Sequence, residues 1–141
     1  PTKENTVMSD FFEKVRQFNK VFGLPLPSTP TYEGDARLER FAQILQEEVD
    51  EQADISPIAD DMDKLVALAD WLGDIVVYCT SEAYRHGIPL DKVLTIIMVS
   101  NMSKLDEVGR PIVVDGKVQK GPNYYKPESY IKALLEEEQC K

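Results

Sequence analysis

Two short stretches carry the acidic side chains most capable of chemistry: Glu47, Glu48, Asp50 and Glu51 in one, Asp70 and Asp74 in the other. At about 100° per residue in a helix, Glu48 and Glu51 project along the same side as Ile44 and Ile55, while Glu47 and Asp50 point outward. Asp70 and Asp74 are one turn apart, so their side chains reach the same place. Carboxylates set against apolar neighbours must be protonated, paired or bound to a cation. Two acids from one helix facing two from another make an all-oxygen cage suited to Mg²⁺ or Mn²⁺. Two ions about 3.5–4 Å apart in such a cage can clamp a phosphate chain for in-line attack by water. The competing arrangement is a structural acid cluster capped by Lys or Arg from elsewhere in the fold.

The elements that must position these acids are helical. Met8, Phe11, Phe12, Val15, Phe18 and Phe22 recur at helical spacing, with Asp10 and Glu13 as a capping pair and Gly23 as the stop. Residues 24–30 hold too many prolines for a helix and read as an extended connector. A second helix is expected from Asp35 to Ile55, with Leu38, Phe41, Ala42, Leu45, Val49 and Gln52 as its core stripe. A third runs from Asp60 to His86, apolar nearly all round and therefore expected to be buried. A fourth spans Leu90 to Met102 with Val93, Leu94, Ile97 and Met98 facing inward, and a closing helix spans Glu128 to Glu138. Between them, Ile112–Val118 is two β-prone pieces around Asp115-Gly116, a hairpin signal. The expected architecture is all-α and four-helix-bundle-like, one domain over residues 1–141, with a small β-hairpin-like excursion near residues 111–119.

Bulk properties narrow the function. A formal charge of −9 argues against a nucleic-acid polymer as partner, since phosphate binding wants Lys and Arg. An enzyme on a small phosphorylated substrate can still be acidic if cations invert the local charge. No apolar run reaches transmembrane length, and no membrane partner is expected. The two cysteines, Cys79 and Cys140, lack any metal-type spacing, so a reducing, cytoplasmic location is the default. Pro1 suggests a processed start. The lone His86 reads as a structural group, and Trp71 and Tyr78 as core packing between helices, with the lining of a ligand pocket as the alternative.

Taken in order along the chain, these motifs resemble the all-α NTP pyrophosphohydrolase superfamily, which groups MazG-like proteins, phosphoribosyl-ATP pyrophosphohydrolase and the dimeric dUTPases. Its pattern is EExxE on one helix and ExxD on the next. Glu47-Glu48-Val49-Asp50-Glu51 matches the first half, and Asp74 closes the second. The position three before Asp74 is Trp71, which cannot bind metal, and Asp70 is the substitute. The phosphoribosyl-ATP pyrophosphohydrolase-like branch is most similar, through Asn101-Met102-Ser103-Lys104-Leu105-Asp106 and Gly116-Lys117-Val118-Gln119-Lys120-Gly121-Pro122-Asn123-Tyr124. The match covers residues 35–127.

The resemblance implies hydrolysis of a nucleoside triphosphate at the α-phosphorus, releasing nucleoside monophosphate and pyrophosphate, as nucleotide-pool cleaning. It implies Mg²⁺, with Mn²⁺ as a substitute, on Glu48, Glu51, Asp70 and Asp74, and Glu47 orienting or deprotonating the water. Asn101, Lys104, Lys120 and Tyr124 would contact phosphate, sugar or base. A homo-oligomer, dimer or tetramer, is expected. The alternatives are phosphoribosyl-ATP hydrolysis in histidine biosynthesis, and a non-catalytic helical interaction module that kept the fold and lost a ligand.

Overall fold

The computed structural model describes residues 3–141, with side chains described from Asp10 onward. Pro1 and the side chain of Met8, both singled out above, lie outside the described residues. The chain resolves into two compact units, Pro1–Ile88 and Pro89–Lys141.

The first unit holds α1 (Lys3–Val21), α2 (Asp35–Asp50), a 3₁₀ turn (Glu51–Asp54) and α3 (Asp61–Arg85), with α3 packed against both other helices. Helix α1 starts earlier than its apolar spacing suggested. Asp10 and Glu13 therefore sit in the helix interior, where no orphan N–H awaits a cap, and pair instead with Lys14 at 3.0 Å and Arg16 at 2.8 Å. Beyond α1, Leu24 donates its N–H to the Asn19 carbonyl at 2.9 Å. Helix α3 begins behind Asp60, whose carboxylate accepts the Asp63 N–H at 3.0 Å. It stops at Gly87, in the left-handed region at φ 66°, where a Cβ would stand 2.5 Å from the Thr29 carbonyl oxygen. Only glycine lets the connector pass that close.

Apolar core residues in this unit are Phe12, Val15 and Ala83. The side chain buried most completely is polar: Asn19 is 0 % exposed. Its amide donates to the Ser81 carbonyl at 3.0 Å and accepts the Ser81 hydroxyl at 2.7 Å, joining α1 to α3. Periodicity did not single out this pair. Phe18 and Phe22, which continue the apolar spacing of α1, are exposed and stack on each other with ring centroids 4.3 Å apart. On α2 the inward face is Arg37, Phe41, Ile44, Leu45 and Glu48, about one residue round from the expected stripe; Leu38, Ala42 and Val49 face solvent. Helix α3 is not buried on all sides either. Leu65, Leu68, Leu72 and Val76 are exposed, because α1 and α2 cover only part of its circumference.

The second unit holds α4 (Leu90–Met102), a two-stranded hairpin and α5 (Glu128–Gln139). On α4, Val93 and Ser100 are buried, whereas Leu94 and Met98 are exposed, again a rotation from the expected face. The strands β1 (Val113–Val114) and β2 (Lys117–Val118) pair antiparallel, Val113 opposite Val118. Asp115 and Gly116 both take positive φ, 52° and 75°, as a two-residue turn of this twist requires. Lys92 on α4 reaches Glu138 on α5 at 3.0 Å. Among the described residues no helix is long and apolar enough to cross a membrane.

Candidate functional site

At its C-terminal end α2 tightens into the 3₁₀ turn, and the Glu51 N–H bonds back to the carbonyls of Glu48 and Val49. A 3₁₀ helix brings residues three apart into line, so Glu48, Glu51 and Asp54 follow one another along one edge. Opposite, α3 supplies Asp70 and Asp74. A cavity of about 220 Å³ is lined by Glu51, Asp54, Asp70 and Asp74, with Ile55, Ile58, Ala67 and Trp71 completing its walls. Asp54 was not foreseen; α2 was expected to run on to Ile55, but it ends at Asp50 and the chain tightens over Glu51–Asp54.

Glu48 stands apart from the other acids in its burial: it is 6 % exposed, and its Oε1 has no hydrogen-bond partner. Burial pushes its carboxyl above the usual range, and the charges of Glu51, Asp74 and Asp70 push it further the same way. Trp71, a departure from the ExxD pattern, has its own task. Its indole N–H donates to the Glu48 carbonyl at 2.7 Å, fastening the end of α2 to the middle of α3. Neither Glu48, which is buried, nor Glu47, the expected water-orienting group, which is exposed, is among the residues lining the cavity.

No described ion pair reaches Glu48, Glu51, Asp70 or Asp74. The alternative of a cluster capped by Lys or Arg is therefore not realised among the described residues. Nor do three Asp, Glu, His or Cys side chains among the described residues stand close enough to hold a metal as they are. The closed cage expected from the spacing is not formed among the described residues. The donor set nevertheless fits a hard divalent cation: all oxygen, with one buried carboxylate oxygen unpartnered.

The second unit draws together three of its four singled-out residues. Gly121 donates its N–H to the Lys104 carbonyl at 2.8 Å, and a Cβ at Gly121 would lie 2.2 Å from the Leu105 carbonyl oxygen. That contact sets the Lys104 and Lys120 ammonium groups 6.0 and 5.1 Å from the centre of the Tyr124 ring. Asn101 is exposed on the last turn of α4. Its neighbours hold the loop: Ser100 donates to the Tyr125 carbonyl at 2.8 Å, and the Ser103 hydroxyl accepts the Tyr125 N–H at 3.2 Å. Asp106 accepts the N–H groups of Val108 and Arg110. Much of the Asn101–Asp106 motif is thus loop architecture.

No family model and no curated protein matches the chain. Among solved structures it is similar to that of a "putative NTP pyrophosphohydrolase" from Exiguobacterium sp. 255-15, with a TM-score of 0.57 and 20% sequence identity. The alignment covers 92% of this chain and 96% of that one. At this identity the likeness speaks for the fold alone, and the fold this chain adopts is the all-α NTP pyrophosphatase fold.

Proposed function

We propose that the chain hydrolyses a nucleoside triphosphate at its α-phosphorus, in a reaction that needs a divalent cation. Water adds to that phosphorus, the bond to the β-bridging oxygen breaks, and nucleoside monophosphate and pyrophosphate leave. One observation carries this reading: Glu48 is buried with an unpartnered oxygen among three further carboxylates and no cationic side chain. Such an arrangement is costly unless a cation completes it. Glu48, Glu51, Asp70 and Asp74 would hold Mg²⁺ or Mn²⁺; Glu51, Asp70 and Asp74 line the acidic cavity together with Asp54, and Glu48 is buried close enough to feel their charges. When bound, the ion supplies charge neutralisation at the phosphoryl oxygens. Glu47, next to Glu48 and exposed, is the group to orient the attacking water. Lys104 and Lys120, gathered on Tyr124, are suited to phosphate, with Asn101 beside them in sequence.

Pyrophosphate release from a panel of nucleoside triphosphates, with Mg²⁺ and with EDTA, tests the reading. Turnover should require the ion and vanish in Glu48→Gln and Asp74→Asn; full activity in EDTA would overturn it. The departure at Trp71 favours one competitor, a module that binds nucleotide without turning it over. Nucleotide binding in a chain that hydrolyses nothing on the panel, phosphoribosyl-ATP included, would select it.

The same proposal includes self-association. Leu65, Leu68, Leu72 and Val76 are 57%, 38%, 50% and 52% exposed and form a stripe along α3. A stripe on one helix can meet its own copy across a twofold axis. Light scattering should give a dimer or larger, and Leu72→Glu should shift it toward monomer. Two free thiols, Cys79 and Cys140, accord with a reducing, cytoplasmic location.

A further inference from the structure

One face of α3 carries Asp70, Asp74, Tyr78 and Glu82, each a turn beyond the last. Helix α2 runs the opposite way beside it: Trp71 meets Glu48 near one end, and Glu82 meets Arg37 near the other. Read in the same direction, α2 offers Glu48, then Phe41, then Arg37. The two helices therefore present matched chemistry in matched order, with carboxylates first, aromatic rings next and a charge pair last.

A second cavity, of about 450 Å³, lies along this stretch and is lined by Phe18, Phe41, Tyr78, Arg37, Glu82 and Asp74, among others. Asp74 also lines the acidic cavity, so the two share a wall. The volume is that of a small-molecule site, and the lining is mostly apolar with a few polar groups, as such sites are. From Asp74 to Glu82 is eight residues, about 12 Å of helix, enough for a sugar and a base between the acids and the charge pair.

The polar end is built from well-shielded groups. The Glu82 carboxylate takes Arg37 Nε at 3.2 Å and Nη2 at 2.6 Å, and lies 3.0 Å from His86 Nε2. Because His86 Nδ1 accepts the Glu33 N–H, the proton of the neutral ring sits on Nε2 and points to Glu82. The carboxylate is thus engaged by donors of the protein itself, while the Nη1 amino group of Arg37 and the second N–H of Nη2 lie outside the pair and make up its other fork. What this end offers a ligand is N–H donors.

We propose that this cavity receives the nucleoside of the triphosphate, its base against Phe41 and Tyr78, and that Arg37, oriented by Glu82, reads an acceptor edge of that base. The base chemistry selected is a 6-oxopurine, guanine or hypoxanthine, whose O6 and N7 accept two hydrogen bonds from an arginine. Adenine would turn an amino group toward the guanidinium and leave donors facing donors. The assignment rests on the reaction proposed above only for its link to the acids; nucleoside binding itself can be read without turnover.

The test uses the full chain and two readouts. The first is pyrophosphate release with Mg²⁺ from GTP, ITP, ATP, CTP and UTP and their deoxy forms. The second is equilibrium binding of GMP and AMP in EDTA. Arg37→Lys keeps the charge opposite Glu82 and removes the fork. The expected result is about a tenfold or greater preference for the 6-oxopurines, the scale of a bidentate arginine–base contact. In Arg37→Lys that ratio should collapse, through KM rather than kcat, and GMP binding should weaken to the AMP level. Tyr78→Leu, which leaves the charge pair intact, should weaken GMP and AMP alike, and it carries the test if Arg37→Lys lowers the melting temperature steeply. Hydrolysis with no base preference, or a preference unchanged in Arg37→Lys, would overturn the assignment while leaving the reaction standing. Arg37-dependent GMP binding with no hydrolysis of any triphosphate would uphold the cavity and remove the reaction.

Discussion

Replacing Trp71 by Phe keeps an aromatic ring between α2 and α3 and removes one donor, the indole N–H that reaches the Glu48 carbonyl at 2.7 Å. The carbonyl does not become an orphan, because it still accepts the Glu51 N–H. The cost is therefore that of one net hydrogen bond, about 1 kcal/mol, rather than the larger penalty of an unsatisfied buried group. For a chain of this length that is a fall of about 3–4 °C in melting temperature. Urea denaturation should move the midpoint down with the slope unchanged, since the surface exposed on unfolding is the same. Because Trp71 acts through the backbone of Glu48 and not as a ligand, turnover in Trp71→Phe should stay within about threefold of the parent when Mg²⁺ saturates, less than the tenfold that 1.36 kcal/mol of barrier represents. A midpoint unchanged within error would show that this bond contributes nothing. Loss of turnover as complete as in Asp70→Asn would show that Trp71 serves the site directly, and the reasoning would fail.

Three other outcomes follow from the geometry. In EDTA, Glu48→Gln should melt higher than the parent, because it removes a buried charge that faces three others, and Mg²⁺ should then raise its melting temperature less than the parent's; equal Mg²⁺ shifts in both would count against Glu48 as a ligand. Asn19→Ala breaks both bonds to Ser81 and should cost about 2–3 kcal/mol by urea denaturation; a loss under about 1 kcal/mol would mean that water replaces them. Glu82 should make the fold acid-sensitive. Its burial raises its carboxyl, but hydrogen bonds from Arg37 and His86 outweigh that and hold it below the ordinary value. The stability it contributes is present above that ordinary value and is lost as pH falls through the lowered one, so Glu82→Gln should flatten the acid limb of a stability–pH curve; an unchanged limb would refute this.

What could be seen in advance was chemistry determined within a few residues. Asp115-Gly116 demanded a two-residue turn and made one, because the dihedral needs of that turn are local. Asp60 and Gly87 bracket α3 for the same reason. The pairing of Asp70 with Asp74 followed from helix pitch, and both line one cavity. The inward face of α2 was misjudged by about one residue. Leu38, Ala42 and Val49 look like a core stripe, but one chain does not cover them, and periodicity cannot say which apolar surface a single chain buries. Asp54 joined the acids only because the helix tightens, a change of pitch that a fixed 100° per residue misses. Trp71 read as a gap in a pattern because its function is a bond to backbone, which no pattern of side-chain types displays.

The Asn19–Ser81 pair has a consequence for how sequences of this fold can drift. The two side chains bond to each other, so a change at either position alone takes a partner from the other, and for Asn19 that loss falls where water is excluded. Two apolar residues of matching volume would serve nearly as well as the present pair, since replacing both partners of a hydrogen bond at once can be close to neutral. The two solutions are thus comparable in stability yet separated by single-substitution intermediates weaker than either. Homologous chains should show positions 19 and 81 both polar or both apolar, with mixed pairs rare, and the two positions should co-vary although they stand 62 positions apart in sequence.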